Sequence, residues 1–356
     1  MESRQAAAIV QELDAHRPAG ASTWEMPGWG SPLAAGIFPF AVRTNDRAIP
    51  LGTAFCISKL GLVCSAYHVV HECLKFHPRG DQLRKERWLS DSADISPLSF
   101  DVLHRHGTRF TLWPLRTLQG GKPTDIIVAH PHIDGTLAYL ALPLSFAVPR
   151  VGTRVTAVGY GGMETGSLGI STEKLAAGDT SELERAGLQL NVVEGRVSRI
   201  FTQRFAAGYI EGACFEMSGT VLPGMSGGPV FNEAGYVCGV VAAGAGIYSE
   251  NGGSIVSLLY PLVQLDVTIE AVMGSVSVKS EQPMIELVTS GSIDTDGSEE
   301  ELPITYTAEG RNVGVRIARE DHPHVFDDLL GAQDGAPASR AVGPISHYRR
   351  LDKRGK

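Results

Sequence analysis

Ser226 stands in Pro223-Gly224-Met225-Ser226-Gly227-Gly228-Pro229-Val230, a hydroxyl enclosed by glycines and prolines. Serine acts as a nucleophile only when a tight turn exposes its oxygen and nearby backbone N–H groups can receive the oxyanion that its attack creates. Glycines on both sides permit such a turn and let another backbone approach. The bland alternative is a glycine-rich hairpin turn, which would leave the density of the motif without a purpose. A serine alone is a weak nucleophile, so a base must come from elsewhere in the chain. Ser65-Ala66-Tyr67-His68-Val69-Val70 offers one, because His68 closes the apolar segment GTAFCISKLGLVCS, which reads as a strand hairpin.

Other groups of reactive side chains carry less. His68, His71, Glu72 and Cys73, or His130 and His132, contain metal-ligating types, but no second pair stands at zinc-site spacing, so no metal is expected. Gly159-Tyr160-Gly161-Gly162 follows a strand but lacks the helix that a dinucleotide loop needs, and reads as a turn. The basic run DQLRKER from residue 81 reads as a solvated helix face. No cofactor is implied.

The elements that must position Ser226 and His68 are short strands. IFPFAVR, GTAFCIS, GLVCSAYHVV, TDIIVAH, RVTAVGY, NVVEGRVSRIF, GPVFN, YVCGVVAAG and SIVSLLY are β-branched or aromatic runs punctuated by Gly, Pro, Asn or Asp. With 41 Gly and 20 Pro in 356 residues, the chain is turn-rich, and the expected fold is mainly β, built of closed antiparallel barrels. Two stretches read as loops or helical insertions: 74–117, rich in Lys, Arg and His, and 163–188, where STEKLAAGDTSELERAG has helix-capping composition. Residues 5–15 suit a short helix, and the Pro/Gly-rich stretch 18–36 reads as a linker.

Composition excludes other classes. A formal charge of −8 argues against broad phosphate-backbone binding, so no nucleic-acid partner is expected. No apolar run reaches the roughly 18 residues of a membrane-spanning helix, and the N-terminus lacks a signal-peptide core, so no membrane association and a cytoplasmic location are expected. The five cysteines lie mostly in apolar strand-like text and read as reduced, buried small hydrophobes, although a Cys56–Cys64 bridge across the hairpin is conceivable. Charge divides the C-terminal region: residues 274–334 hold four basic against 13 acidic residues, and 335–356 hold six against one. The expected organisation is therefore 1–36 helix and linker, 37–273 the main unit, 274–334 an acidic accessory segment and 335–356 a flexible basic tail.

The chain resembles the trypsin-like (chymotrypsin-fold) serine peptidases, closest to the bacterial Deg/HtrA-type proteins. The match lies in Gly52 to Val70, a Gly-Ser/Thr start, short hairpin and closing histidine, and in Pro223 to Gly239, a Pro-Gly-x-Ser-Gly-Gly-Pro followed by a strand pair. The resemblance covers about 37–272 and implies two antiparallel six-stranded β-barrels. It also implies a triad of His68, an aspartate and Ser226. The family places the acid as Thr-Asp before an apolar run, some 17 residues ahead of a Leu-Pro-Leu element; Thr124-Asp125-Ile126 stands 17 positions before Leu142-Pro143-Leu144. Asp125 is the choice, with Asp134 as the rival acid.

In that reading Ser226 attacks a peptide carbonyl, His68 takes and returns the proton, and Asp125 orients His68. The N–H groups of Gly224 and Ser226 form the oxyanion hole. Met225 replaces the aspartate that digestive relatives pair with a cleaved N-terminus, so activation by trimming is not implied and loop ordering or a partner takes that role. The specificity pocket is expected at Thr220, Ala242, Ala243 and Gly244; with no acid among them, it implies an uncharged, small to medium apolar residue before the cleaved bond. No PDZ module is evident after the protease region. The expectation is a regulated serine endopeptidase acting on protein or peptide substrates, with a regulatory protein engaged through the acidic segment. The alternative is a catalytically silent trypsin-like fold that serves as a binding or scaffold module.

Overall fold

The computed structural model describes residues 4–85, 98–106, 109–120, 124–132, 139–163, 169–201, 212–244, 253–273, 276–302, 304–306 and 313–315. Helix α1 (Arg4–Ala15) is followed by strands β1 (Thr23–Glu25), β2 (Ile37–Arg43), β3 (Arg47–Cys56) and β4 (Val63–Ala66), then helices α2 (Tyr67–Cys73) and α3 (Gly80–Lys85). Strands β5 (Ser99–His106), β6 (Arg109–Gly120), β7 (Ile126–Pro131), β8 (Arg154–Gly161) and β9 (Ile170–Ser171) lead to the short helices α4 (Thr172–Ala176) and α5 (Ser181–Arg185). After these come β10 (Gln189–Phe201), β11 (Cys214–Met217), β12 (Pro229–Phe231), β13 (Val237–Ala243), β14 (Ser254–Leu258), β15 (Asp266–Met273) and β16 (Val276–Pro283). Helix α6 (Met284–Thr289) and the strand pair β17 (Ile304–Tyr306) and β18 (Val313–Val315) complete the described chain.

The strands form two closed antiparallel barrels of six. In the first, β2, β5, β6, β7, β4 and β3 are neighbours in that order, and β2 pairs with β3 to close the ring. In the second, β10, β11, β14, β13, β12 and β8 are neighbours, and β8 returns to β10. Closure removes the open edges that an antiparallel sheet would otherwise present. Bulges at Leu51 in β3, Arg116 in β6, Ser198 in β10 and Cys238 and Ala242 in β13 supply the local bending that small barrels need. Phe38, Phe40, Phe55 and Phe100 on the strands of the first barrel, and Phe215 and Phe231 on those of the second, are all fully buried. Each such side chain contributes about 1.5–3 kcal/mol relative to an exposed one.

The hairpin read from GTAFCISKLGLVCS is β3–β4, with Ala54 opposite Ser65 and Phe55 opposite Cys64. Cys56 faces Val63 rather than Cys64, and all five cysteines are free and buried. Burial pushes the Cys56 thiol up to about 12 and that of Cys64 higher still, which keeps both as inert hydrophobes.

The sequence reading needs correction in three places. Within 74–117, expected as a loop or helical insertion, β5 and β6 are two staves of the first barrel. Their His and Arg residues mask strands whose Phe100, Val102, Leu103, Trp113 and Leu115 are buried; even His104 is buried, stacked on Trp113 at 4.0 Å. Stretch 163–188 does carry α4 and α5, and Ser171 caps α4 through the N–H of Lys174 at 3.3 Å. The expected linker 18–36 holds β1, which pairs with β10, and buries Trp24, Met26 and Leu33. Helix α1 turns Ala6, Ile9 and Leu13 inward, with the Ala6 carbonyl against Gly235 in the β12–β13 turn, where a Cβ would collide. Third, the composition boundary at 273 is no break in packing. Hairpin β15–β16 leads into α6, whose Met284, Ile285, Leu287 and Val288 join the same core as the barrels. Leu144 bridges to Thr295, and Lys59 pairs with Asp294 at 2.7 Å. The tail 335–356 lies outside the described residues.

Candidate active site

Strand pairing brings the histidine and its acid together. Ala66 of β4 faces Ile126 of β7, so the residues just beyond them, Tyr67 and Asp125, meet where β4 ends and α2 begins. The Tyr67 N–H donates to the Asp125 carbonyl at 3.0 Å, and the His68 N–H donates to Asp125 Oδ1 at 2.9 Å. The other carboxylate oxygen, Oδ2, lies 2.7 Å from His68 Nδ1. One buried carboxylate, 3% exposed, therefore holds both the backbone and the ring of His68, which is 27% exposed. Burial of the ring opposes its charged form, but the Asp125 charge and hydrogen bond, aided by Glu72, raise the His68 pKa above its ordinary value. With Nδ1 turned to Asp125, Nε2 is the nitrogen left for a reacting group. Asp134, the rival acid, lies outside the described residues.

The Ser226 loop is built from its backbone. Met225 N–H donates to the Leu222 carbonyl at 3.1 Å, closing a four-residue turn with Pro223 second and Gly224 third. Gly224 has φ +94°, which a type II turn requires at that position and which non-glycine residues rarely adopt. A Cβ there would also lie 2.6 Å from the Tyr160 carbonyl. Gly227, at φ +86°, sits where a Cβ would strike the Thr53 carbonyl and Ser65 Oγ. Its N–H donates to Val241 at 2.8 Å, and the Val241 N–H returns to Gly228 at 2.9 Å, locking the loop to β13. On the other side, Thr53 N–H donates to the Ser226 carbonyl at 2.8 Å. Gly52, without a side chain, lets that carbonyl and Val69 of the His68 helix approach the same point.

Among the described residues, neither the Gly224 nor the Ser226 N–H has a protein acceptor, and no hydrogen bond joins Ser226 Oγ to His68. Met225 is fully buried, its sulfur 3.4 Å from the Leu222 N–H. Of the pocket residues expected from sequence, Thr220 is exposed, Ala242 buried, and Ala243 and Gly244 half-buried at the end of β13. A Cβ on Gly244 would lie 3.2 Å from the Val221 carbonyl, and Ser254 Oγ spans Gly219 and Val221, so these segments do meet. Sequence reasoning missed Ser254, Thr53 and the buried Glu216, whose carboxylate lies against Gly253. Ser254 and Glu216 sit in ordinary strand text with no motif to flag them, and Thr53 falls in the Gly-Ser/Thr start, which assigns it no role. Among the described residues, no group of three His, Cys, Asp or Glu is arranged to hold a metal ion.

Residues 52–240, more than half of the chain, match the family model of the trypsin-like peptidase domain. The chain belongs to the trypsin-like peptidase family. The two barrels and the loops described above are thus those of a trypsin-like peptidase domain, with the N-terminal segment and the 266–302 region packed around it. Solved structures with a similar fold include the active form of the Rv3671c protease from Mycobacterium tuberculosis, at 16% identity, a TM-score of 0.41, and coverage of 64% of this chain and 77% of that one. The MamO protease domain from Magnetospirillum magneticum matches at 15% identity and a TM-score of 0.39, covering 64% of this chain and 93% of that one. No curated protein sequence matches significantly.

Proposed function

We propose that this trypsin-like peptidase is an active serine endopeptidase that hydrolyses peptide bonds through His68, Asp125 and Ser226. The observation that carries the proposal is the double hold of Asp125 on His68, at 2.7 and 2.9 Å, beside a serine loop whose Gly224 and Ser226 N–H groups have no acceptor among the described residues. Ser226 Oγ attacks the scissile carbonyl while His68 Nε2 accepts its proton. Asp125 keeps the other ring proton on Nδ1 and stabilises the imidazolium, and His68 then protonates the leaving amine. The Gly224 and Ser226 N–H groups receive the carbonyl oxygen as it becomes an oxyanion. Thr220, Ala242, Ala243 and Gly244 line the pocket for an uncharged, small to medium apolar side chain. Labelling with a fluorophosphonate probe tests the reading: the wild type labels and Ser226→Ala does not.

A second reading, a silent fold that binds a protein partner, draws on the absent hydrogen bond between Ser226 Oγ and His68. Catalytic hydrogen bonds are often long in free enzymes and tighten with substrate, so the proposal keeps activity and assigns its control to loop ordering or a partner bound through the acidic 274–334 segment. Within the described residues no helix is long and apolar enough to cross a membrane; a cytoplasmic location in a bacterial cell is part of the same proposal. So is the division into a protease unit at 37–273, a preceding segment and an acidic accessory region, with both flanks packed on the protease unit rather than folding apart from it.

A further inference from the structure

We infer that Thr53, on the barrel that carries His68, is the positioning residue for the oxyanion-binding turn on the other barrel. This rests on the proposed function only in what the turn is for. Thr53 is fully buried, and all of its hydrogen-bonding atoms are engaged. Its N–H donates to the Ser226 carbonyl at 2.8 Å, and its carbonyl accepts from Ser65 Oγ at 2.7 Å. The hydroxyl Oγ1 donates to the Gly224 carbonyl at 2.9 Å and accepts from the Tyr160 N–H at 2.9 Å. A hydroxyl with one proton and a fixed donor on its other side can aim that proton in one direction only.

The consequence lies in one peptide unit. The Gly224–Met225 peptide is held at both poles, its N–H by the Leu222 carbonyl at 3.1 Å and its C=O by Thr53 Oγ1. That unit separates the two N–H groups proposed to receive the oxyanion. If the C=O were released, the peptide could rotate about its flanking bonds, and glycine at 224 resists such rotation least of all residues. Gly224 and Ser226 would then stop pointing at one site. Thr53 also receives Tyr160, whose ring packs on Trp29 at 5.2 Å and whose phenol reaches the Ile37 carbonyl at 3.4 Å, so the clamp is anchored in the core shared by both barrels.

Thr53→Val keeps the shape and removes the hydroxyl, whereas Thr53→Ser keeps it. Losing one oxyanion donor costs about 10²–10³ in kcat, and a misaimed turn should cost Thr53→Val at least about tenfold. KM should stay within about twofold, affinity for a peptide boronic acid should fall by the same factor as kcat, and Thr53→Ser should restore both to within about threefold. Amide hydrogen exchange over residues 222–228 gives a readout that needs no activity: exchange at Met225 should quicken at least about tenfold in Thr53→Val and not in Thr53→Ser. Unchanged exchange overturns the inference, as does a fall in thermal stability and rate that Thr53→Ser does not rescue. An enzyme that never labels at Ser226 overturns the proposed function instead, while exchange still decides whether Thr53 holds the turn.

Discussion

Replacing Asp125 by asparagine tests the arrangement around His68 with the least disturbance of shape. The carboxylate makes two hydrogen bonds to His68 from a position 3% exposed. Asparagine can keep the bond from the His68 N–H through its amide oxygen, so the chain should fold. Its NH₂ group, however, would then face Nδ1 as a donor, move the ring proton to Nε2 and leave no base opposite Ser226. The expected loss is about 10⁴ in kcat at pH 7, or roughly 5.4 kcal/mol of transition-state stabilisation. The pH profile supplies a second sign. Turnover needs neutral His68, whose pKa is raised chiefly by Asp125 against the effect of burial. The acid limb of the wild-type profile should therefore lie above the ordinary histidine value of about 6.5, and residual activity in Asp125→Asn should have its limb shifted down. The same linkage means that the pair's contribution to folding is fully present below pH of about 6.5 and is lost as pH rises through the raised folded value. Peptide hydrolysis followed by fluorescence from pH 5 to 9 reads both effects. Asp125→Asn within about tenfold of wild type, or an equal loss in Asp134→Asn, would refute the assignment of the acid.

Three further outcomes follow from the same coordinates. Gly224→Ala places a Cβ 2.6 Å from the Tyr160 carbonyl at φ +94° and should abolish probe labelling while lowering stability by at least about 1 kcal/mol, measured by urea unfolding. Deletion from 274 removes the buried Met284, Ile285, Leu287 and Val288, each contributing about 1.5–3 kcal/mol, and should give an unfolded product by circular dichroism. A peptide library should show cleavage after small or medium apolar residues; preference for Lys or Arg would assign the buried Glu216 beside Gly253 as the counter-charge and overturn the pocket reading.

What could be read from the sequence was what glycine, proline and β-branched residues dictate locally. The Ser226 loop was legible because its φ values near +90° at Gly224 and Gly227 leave few residue choices. The β3–β4 hairpin was legible because its residues are buried on both faces, which makes its apolar text continuous. Strands β5 and β6 were not, because His104, Arg105, Arg109 and Arg116 hide the buried positions between them. The packing of α6 was hidden for a related reason: its acidic neighbours dominate the composition of 274–334, while Met284, Ile285, Leu287 and Val288 carry the contact. The role of Thr53 could not be read from the Gly-Ser/Thr start in which it stands, since its partners Tyr160, Gly224 and Ser226 lie more than 100 positions away. Only closure of both barrels brings them to one side chain.

The central claim is that Ser226 is a nucleophile activated by His68. Intact-mass detection of a fluorophosphonate adduct tests it directly, with the wild type compared with Ser226→Ala and His68→Ala. The account predicts one adduct per chain on Ser226, none in Ser226→Ala, and labelling slowed at least about a hundredfold in His68→Ala. Equal labelling of wild type and Ser226→Ala, or no adduct on the wild type with or without peptide substrate present, would contradict it.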